Sequence, residues 1–193
     1  MRNQNLSDAE LTAFSGEHLL YEFQLLYFAA SELGRLDKPQ PKASVLIESF
    51  GIHLRNLIDF FCIPTGRERE DDVIASDFCP GWSEKISATL EGARERANKE
   101  LSHLTLKRKG ASDPKKPWDV NGLYKEVIAI AQRFVSQADS TKLSPEIPKW
   151  LTMAKLPTLS VAVGGALITS NSTTTMSIVT SAGGVSGSAK TTP

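Results

Sequence analysis

Cysteine is scarce in this sequence of 193 residues, and its placement excludes the folds that depend on it. The two cysteines, Cys62 and Cys79, form no CxxC pair, so neither a disulfide framework nor a zinc ribbon is predicted. Free thiols are typical of proteins in a reducing compartment. We therefore expect a cytoplasmic location.

Long apolar runs are also missing. The N-terminal stretch MRNQNLSDAELTAF contains no apolar core of a signal peptide, and none is predicted. The stretch from Leu156 to Gly187 is low in charge, but Gly, Ser and Thr interrupt it well before the ~20 apolar residues that a membrane-spanning helix requires. We expect no transmembrane segment and no membrane partner.

Net charge is absent as well, because 22 basic residues balance 22 acidic ones. The charges are nevertheless unevenly distributed, since residues 92–116 contain eight basic and three acidic side chains, a local net charge of +5. Such a patch can bind phosphate groups, but charge runs of this kind are also common on solvated helix faces. Composition alone leaves both interpretations open.

Four amphipathic stripes occur before residue 140, and no segment has the pattern of a convincing strand. The stripes predict helices from about Glu17 to Leu36, over residues 42–63, from Trp82 or Ser83 to Thr105, and from an N-cap at Asp119 to residue 138. This pattern favours an all-α, up-down bundle of four main helices. The predicted core residues are Phe23, Leu26, Phe50, Leu54, Leu57, Leu90, Ala97, Leu101, Val127 and Phe134.

The composition changes near residue 151. Residues 152–193 contain two lysines and no Asp or Glu, and Gly, Ser, Thr, Ala and Val dominate. We predict a helical domain over residues 1–151, followed by a low-complexity tail over 152–193 that is disordered or forms a weak hairpin. Because the tail has no helical stripe to pack on the bundle, we expect its removal to leave folding unaffected.

Local spacing predicts several polar interactions. Ser7 and Glu10 have the spacing of a capping box, and Ser15 with Gly16 marks a break or a second helix start. Glu22 lies within an apolar stripe, where a carboxylate needs a partner, and His18 four residues earlier is the nearest candidate. A ladder of ion pairs is predicted on one flank of the second helix, formed by Glu48, Arg55 and Asp59.

Three histidines on three helices suggest a metal site, but their spacing argues against one. His18, His53 and His103 form no HxxxH or HxxE pair, which would supply two ligands from one helix. We interpret His53 as a packing residue and predict neither a metal nor another cofactor.

Arg96 and His103 carry the chemistry that the sequence suggests. They lie seven residues apart in a helical segment, so their side chains fall within about 20° of each other around its axis. An Arg and a His at this spacing suit metal-free cleavage of RNA. His103 can move a proton to or from the 2′-hydroxyl or the leaving oxygen of the RNA, while Arg96 binds the phosphate and stabilises its developing charge. The alternative role is structural: Arg96 bonds Glu100 at i+4, and His103 caps its own helix end or bonds a neighbouring carbonyl.

The segments that contain these residues resemble the HEPN superfamily of helical bundles. The resemblance covers about residues 17–138 and depends on EHLLYEF, SFGIHLRNLIDFF and RANKELSHLT, the last of which matches the arginine and histidine element of that family. It implies a HEPN-like homodimer over residues 1–151, active as a metal-independent endoribonuclease of the toxin or abortive-infection type and opposed by an antitoxin protein. Arg96 and His103 would be catalytic, and the residues expected to bind RNA are Asn98, Lys99, Lys107, Arg108 and Lys109.

The same resemblance supports a second hypothesis. Catalytic HEPN proteins usually carry Asn, Asp or His directly after the arginine, whereas this chain has Ala97 there and Asn98 one place later. Related bundles without activity share the fold. A non-catalytic HEPN-like interaction or nucleotide-binding module is therefore the alternative function.

Overall fold

The computed structural model describes residues 6–36, 42–63, 66–102, 106 and 118–155. All regular secondary structure in these ranges is helical, which confirms the all-α class. Two π-helical stretches interrupt the α-helices: the first, Ser15–Leu19, joins α1 to α2, and the second, Ala97–Ser102, continues α5. The α-helices are α1 (Asp8–Phe14), α2 (Leu20–Gly34), α3 (Lys42–Cys62), α4 (Ala75–Phe78), α5 (Ala88–Arg96), α6 (Val120–Gln137) and α7 (Glu146–Met153).

The predicted capping box at the start of α1 is confirmed. The backbone N–H of Ser7 donates to the Glu10 carboxylate at 2.8 Å, and the N–H of Glu10 donates to the Ser7 hydroxyl. At Ser15, where a break or a second helix start is predicted, α1 gives way to the first π-helical stretch, and the chain continues through it into α2 without a loop. Ser15 is buried there, and its hydroxyl accepts the backbone N–H of Ser144 at 2.8 Å, which ties the segment before α7 to this stretch.

The four predicted stripes meet in a single core. Nine of the ten predicted core residues are buried, and Leu101 is half-buried. Leu101 packs against α3 at Gly51, where an added Cβ atom would overlap a terminal methyl group of the Leu101 side chain. Glycine at position 51 therefore leaves room for the Leu101 side chain in its present conformation.

Aromatic rings join the connection between α3 and α5 to this core. The Phe134 ring on α6 is surrounded at centroid distances of 5.4 to 6.0 Å by the rings of Phe60, Phe61, Phe78 and Trp82. The indole N–H of Trp82 also donates to the carbonyl of Phe61 at 2.8 Å. Trp82 is thus a packing residue and not the first residue of α5.

The predicted start of the third helix at Trp82 or Ser83 is wrong. Helix α5 begins at Ala88, because the Ser87 hydroxyl accepts the N–H of Leu90 at 3.1 Å and so caps the helix. At the start of the short helix α4, the Asp77 carboxylate accepts the N–H of Ile74 at 2.9 Å. In both helices a polar side chain within the first turn bonds a backbone N–H group at the helix start.

The last described helix, α7, was not predicted. Its residues Ile147 and Leu151 are buried, and the Trp150 ring stacks on Phe23 of α2 at a centroid distance of 5.6 Å. Helix α7 crosses the predicted boundary at residue 151, while residues 156–193 lie outside the described ranges, so the dispensability of the tail stays a prediction. Among the described helices, none combines the length and the apolar character that a membrane span requires.

Truncation of Phe134 tests the aromatic cluster. We expect Phe134→Ala to lower the free energy of unfolding by about 3–5 kcal/mol, because it leaves a cavity among four rings. Met153→Ala is the control, since 72% of Met153 is exposed and its loss should change stability by no more than about 0.5 kcal/mol. Urea denaturation measures both values, and similar losses in the two variants would contradict this account of the core.

Candidate functional site

Arg96 lies at the junction between α5 and the second π-helical stretch. Its Nε–H donates to the Glu100 carboxylate at 3.0 Å, and its guanidinium carbon lies 4.4 Å from the centroid of the Trp118 ring. The Arg96 side chain is only 22% exposed and that of Glu100 only 10%. The i+4 bond of the structural alternative is therefore present, and a carboxylate and an aromatic face orient the guanidinium.

Trp118 was missed in the sequence, although a local signal marks it. It directly precedes Asp119, whose carboxylate accepts the N–H of Gly122 at 2.9 Å and so confirms the predicted N-cap of α6. A large apolar residue just before an N-cap is the position from which a side chain can pack back onto the bundle. Trp118 is buried, and its ring meets the edge of Phe50 at a centroid distance of 6.5 Å.

Asn98 and Lys99 make contacts different from those of Arg96. The Asn98 side-chain oxygen accepts from Nη1 of Arg55 on α3 at 3.1 Å, and the same Nη1 donates to the Ser102 hydroxyl at 3.3 Å. Lys99 pairs with Glu95 at 2.6 Å, and both side chains are about half exposed. Asn98 therefore binds α3, while Lys99 remains accessible to solvent.

Four predicted site residues lie outside the described part of the chain: His103, Lys107, Arg108 and Lys109. The pairing of Arg96 with His103 and the basic loop therefore stay predictions.

The partner of Glu22 is His53, and the predicted pairing with His18 is wrong. Glu22 Oε2 lies 2.7 Å from Nδ1 of His53, which is only 8% exposed. The same carboxylate oxygen accepts from the Asn56 amide at 3.2 Å. His18 instead packs its ring on Phe14 at a centroid distance of 5.0 Å. Glu22 bonds to α3 because α2 packs on α3. This packing brings His53 and Asn56, which lie 31 and 34 positions later in the chain, within hydrogen-bonding distance of Glu22.

These contacts form a continuous polar relay between three helical segments. The Asn56 oxygen accepts from Nη2 of Arg55 at 3.1 Å, which connects the Glu22 cluster to the Arg55 contacts described above. We use the term polar relay for this set, whose members are Glu22, His53, Asn56, Arg55, Asn98 and Ser102. It runs from α2 through α3 to the second π-helical stretch.

The predicted ion-pair ladder along α3 is also wrong. Arg55 bonds Asn56 and the second π-helical stretch, and Asp59 pairs with Arg94 of α5. Because α5 packs on this flank of α3, cross-helix partners replace the partners one or two turns along the same helix.

Neither cysteine is suited to act as a nucleophile. Cys62 and Cys79 are free and buried. Burial, reinforced by the nearby Glu84 carboxylate, raises the pKa of the Cys62 thiol to about 12. This thiol is neutral at physiological pH and therefore a weak nucleophile. Within the described ranges, no three His, Cys, Asp or Glu side chains are grouped so as to hold a metal ion.

Removal of Glu22 tests the inner end of the polar relay. We expect Glu22→Ala to lower the free energy of unfolding by about 1–3 kcal/mol, because two partners in a half-buried setting lose their acceptor. Glu32→Ala on the same helix is the matched control, since the partner of Glu32 in the described part of the chain is the exposed Arg35 and the pair should contribute less than about 1 kcal/mol. Chemical denaturation distinguishes the two, and equal losses would show that the relay adds no stability.

No protein-family model matches this chain, and neither a curated protein nor a solved structure is significantly similar to it.

Proposed function

We propose that this chain is a HEPN-like, metal-independent endoribonuclease of the toxin or abortive-infection type, with Arg96 and His103 as its catalytic pair. In this proposal α2, α3, α5 with its π-helical continuation, and α6 are the four main helices of the bundle. RNA is the substrate, and the cytoplasmic location and an antitoxin protein partner belong to the same proposal.

The environment of Arg96 is the observation that carries this proposal. Its guanidinium is half-buried and is held between the Glu100 carboxylate and the Trp118 ring. A cation whose direction is set before substrate arrives can stabilise charge that develops on a phosphate without the cost of reorganisation. Lys99 lies three residues further along the same helical segment, is 45% exposed and adds a second positive charge for the RNA backbone.

In the proposed reaction the RNA supplies its own nucleophile. The 2′-hydroxyl attacks the adjacent phosphorus and loses its proton, and the bond from phosphorus to the 5′-oxygen breaks as that oxygen gains a proton. His103 transfers protons in this scheme, and Arg96 stabilises the negative charge on the non-bridging oxygens. The products are a 2′,3′-cyclic phosphate and a free 5′-hydroxyl, and no step requires a metal ion.

One observation favours the second candidate, a non-catalytic interaction or nucleotide-binding module. The residue after Arg96 is Ala97, which is completely buried, and the side-chain oxygen of Asn98 is already bonded to Arg55. In this arrangement the Asn98 oxygen serves the packing of the π-helical stretch on α3. A module of this type would bind RNA or a nucleotide through Arg96 and leave it intact.

A homodimer belongs to the proposal, and its support is the exposure of large apolar side chains on α2 and α3. Tyr21 and Phe28 on α2 are 51% and 55% exposed, and Val45 and Ile52 on α3 are 66% and 38% exposed. Each pair is spaced by seven residues, so its members lie on one side of their helix. Because α2 packs directly against α3, we propose that the two pairs form one apolar face and that this face is buried against a second copy of the chain.

Cleavage of total RNA in the presence of EDTA tests the enzymatic proposal. We expect products with 2′,3′-cyclic phosphate ends and a loss of activity of about 10²-fold or more in Arg96→Ala and in His103→Ala, because each removes a charge stabiliser or a proton-transfer group. Arg133→Ala is the charge-matched control, since Arg133 lies on α6 and pairs with Glu84. RNA binding without cleavage by the wild type would favour the non-catalytic module, and cleavage by His103→Ala at the wild-type rate would remove His103 from the mechanism.

Charge placed on the apolar face tests the dimer. We expect Phe28→Asp to convert the protein to a monomer, because an aspartate buried in an apolar interface loses its hydration without gaining a partner. Met153→Asp, which places the same charge on an exposed apolar residue of α7, should leave the dimer intact. Sedimentation velocity measures the mass of each variant, and a wild type that sediments as a monomer would refute the dimer.

A further inference from the structure

Arg55 is the residue that connects α3 to the second π-helical stretch. Its Nη1 is shared between the Asn98 oxygen at 3.1 Å and the Ser102 hydroxyl at 3.3 Å. These two acceptors lie four residues apart, so a single guanidinium spans one turn of the stretch. The planar fork of arginine suits this role, because its donors point in fixed directions.

The other side of the Arg55 guanidinium is held as well. Nη2 donates to the Asn56 oxygen at 3.1 Å, and the Asn56 amide donates to Glu22 on α2. Glu22 is fixed in turn by the buried His53. The Nε atom of Arg55 is buried and has no hydrogen-bond partner among the residues that the structure describes, so its burial has a free-energy cost that the other contacts of the guanidinium offset. Arg55 is therefore anchored on α2 and α3 before it reaches the π-helical stretch.

The stretch that Arg55 holds begins directly after Arg96. A π-helical turn is rarer than an α-helical one and occurs frequently at functional sites. Glu100, whose carboxylate accepts from Nε of Arg96 at 3.0 Å, belongs to this stretch, so the placement of the stretch determines where Arg96 finds its acceptor. Side-chain bonds from a neighbouring helix stabilise such a turn against conversion to regular α-helix. Loss of the Arg55 bonds would therefore loosen the turn next to Arg96.

We propose that Arg55 is a positioning residue for the candidate site: through Asn98 and Ser102 it holds the second π-helical stretch in place, and through that stretch it sets the direction of Arg96. The effect on RNA cleavage rests on the proposed ribonuclease function, whereas the effect on the π-helical stretch does not. Arg55 does not itself contact RNA in this proposal.

The comparison of Arg55→Lys with Arg55→Ala distinguishes positioning from binding. Lysine keeps the positive charge but lacks the fork that reaches Asn98, Ser102 and Asn56 together. If Arg55 positions the site, both variants lose RNA cleavage to a similar extent. If Arg55 binds a phosphate through its charge, Arg55→Lys retains much of the wild-type cleavage.

Hydrogen exchange and RNA cleavage are measured on the full-length chain. We expect the amide hydrogens of residues 97–102 to exchange about 10-fold faster or more in both Arg55 variants and in Asn98→Ala, because each loses bonds that close this turn. We expect kcat for RNA cleavage to fall by about 10- to 100-fold while KM changes by less than about threefold, as for a misplaced catalytic group. Arg133→Lys is the matched control and should match the wild type in both measurements.

Three results would overturn the proposal. If Arg55→Lys has the same amide exchange and the same kcat as the wild type, the charge of Arg55 alone is what matters. If Arg55→Ala has a raised KM and an unchanged kcat, Arg55 binds RNA. If the wild type does not cleave RNA, the ribonuclease proposal fails, and the exchange of residues 97–102 alone decides whether Arg55 holds the stretch. If Arg55→Ala does not fold, Asn98→Ala and Ser102→Ala provide the same test, and unchanged exchange in both is the third contrary result.

Discussion

The packing of α3 on all of its neighbours is the constraint on which the rest of the structure depends. Helix α3 contacts α2, α5, the second π-helical stretch and α6, and its buried side chains supply a large part of the core. Gly51 lies on the side that faces Leu101, where a larger residue would require the Leu101 side chain to move. The position of Arg96 therefore follows from how closely α5 and its continuation lie on α3.

Polar groups as well as apolar ones hold this arrangement together. The polar relay passes between α2, α3 and the second π-helical stretch, and its innermost member, His53, is almost completely buried. The hydrogen bonds of the relay form only when the three segments are correctly aligned, so the relay restricts their alignment. Apolar contacts alone would tolerate a small sliding motion of one helical segment along another, whereas hydrogen bonds of about 3 Å do not.

The same geometry bears on both functional hypotheses. Arg96 is oriented by Glu100 and Trp118, which suits a group that stabilises charge during a reaction, and it also suits a group that binds a phosphate without reacting. The carboxylate of Glu100 partly offsets the positive charge of Arg96, so under both hypotheses RNA affinity would depend on neighbouring cations such as the half-exposed Lys99, which itself pairs with Glu95. The two hypotheses differ in whether a proton is transferred. The ribonuclease hypothesis assigns this transfer to His103, whereas the non-catalytic module requires none.

The sequence by itself determined the elements whose causes are local. The helical stripes of α2, α3 and α6, the capping box of Ser7 and Glu10, and the N-cap at Asp119 all arise from residues within a few positions of each other, and the structure contains each of them. The bond from Arg96 to Glu100 belongs to the same class, because i+4 neighbours on a helix are adjacent whatever the fold.

Only the tertiary structure decided which distant side chains meet. Glu22 binds His53 and not His18, and Asp59 binds Arg94 and not Arg55, because helix packing brings these distant residues closer than the local ones. The burial of Trp118 against Arg96 and the docking of Trp150 of α7 on Phe23 have the same origin. Periodicity fixes the face on which a residue lies, but the partner on that face depends on how each helix is aligned with its neighbour, and that alignment is set by the packing of the whole core.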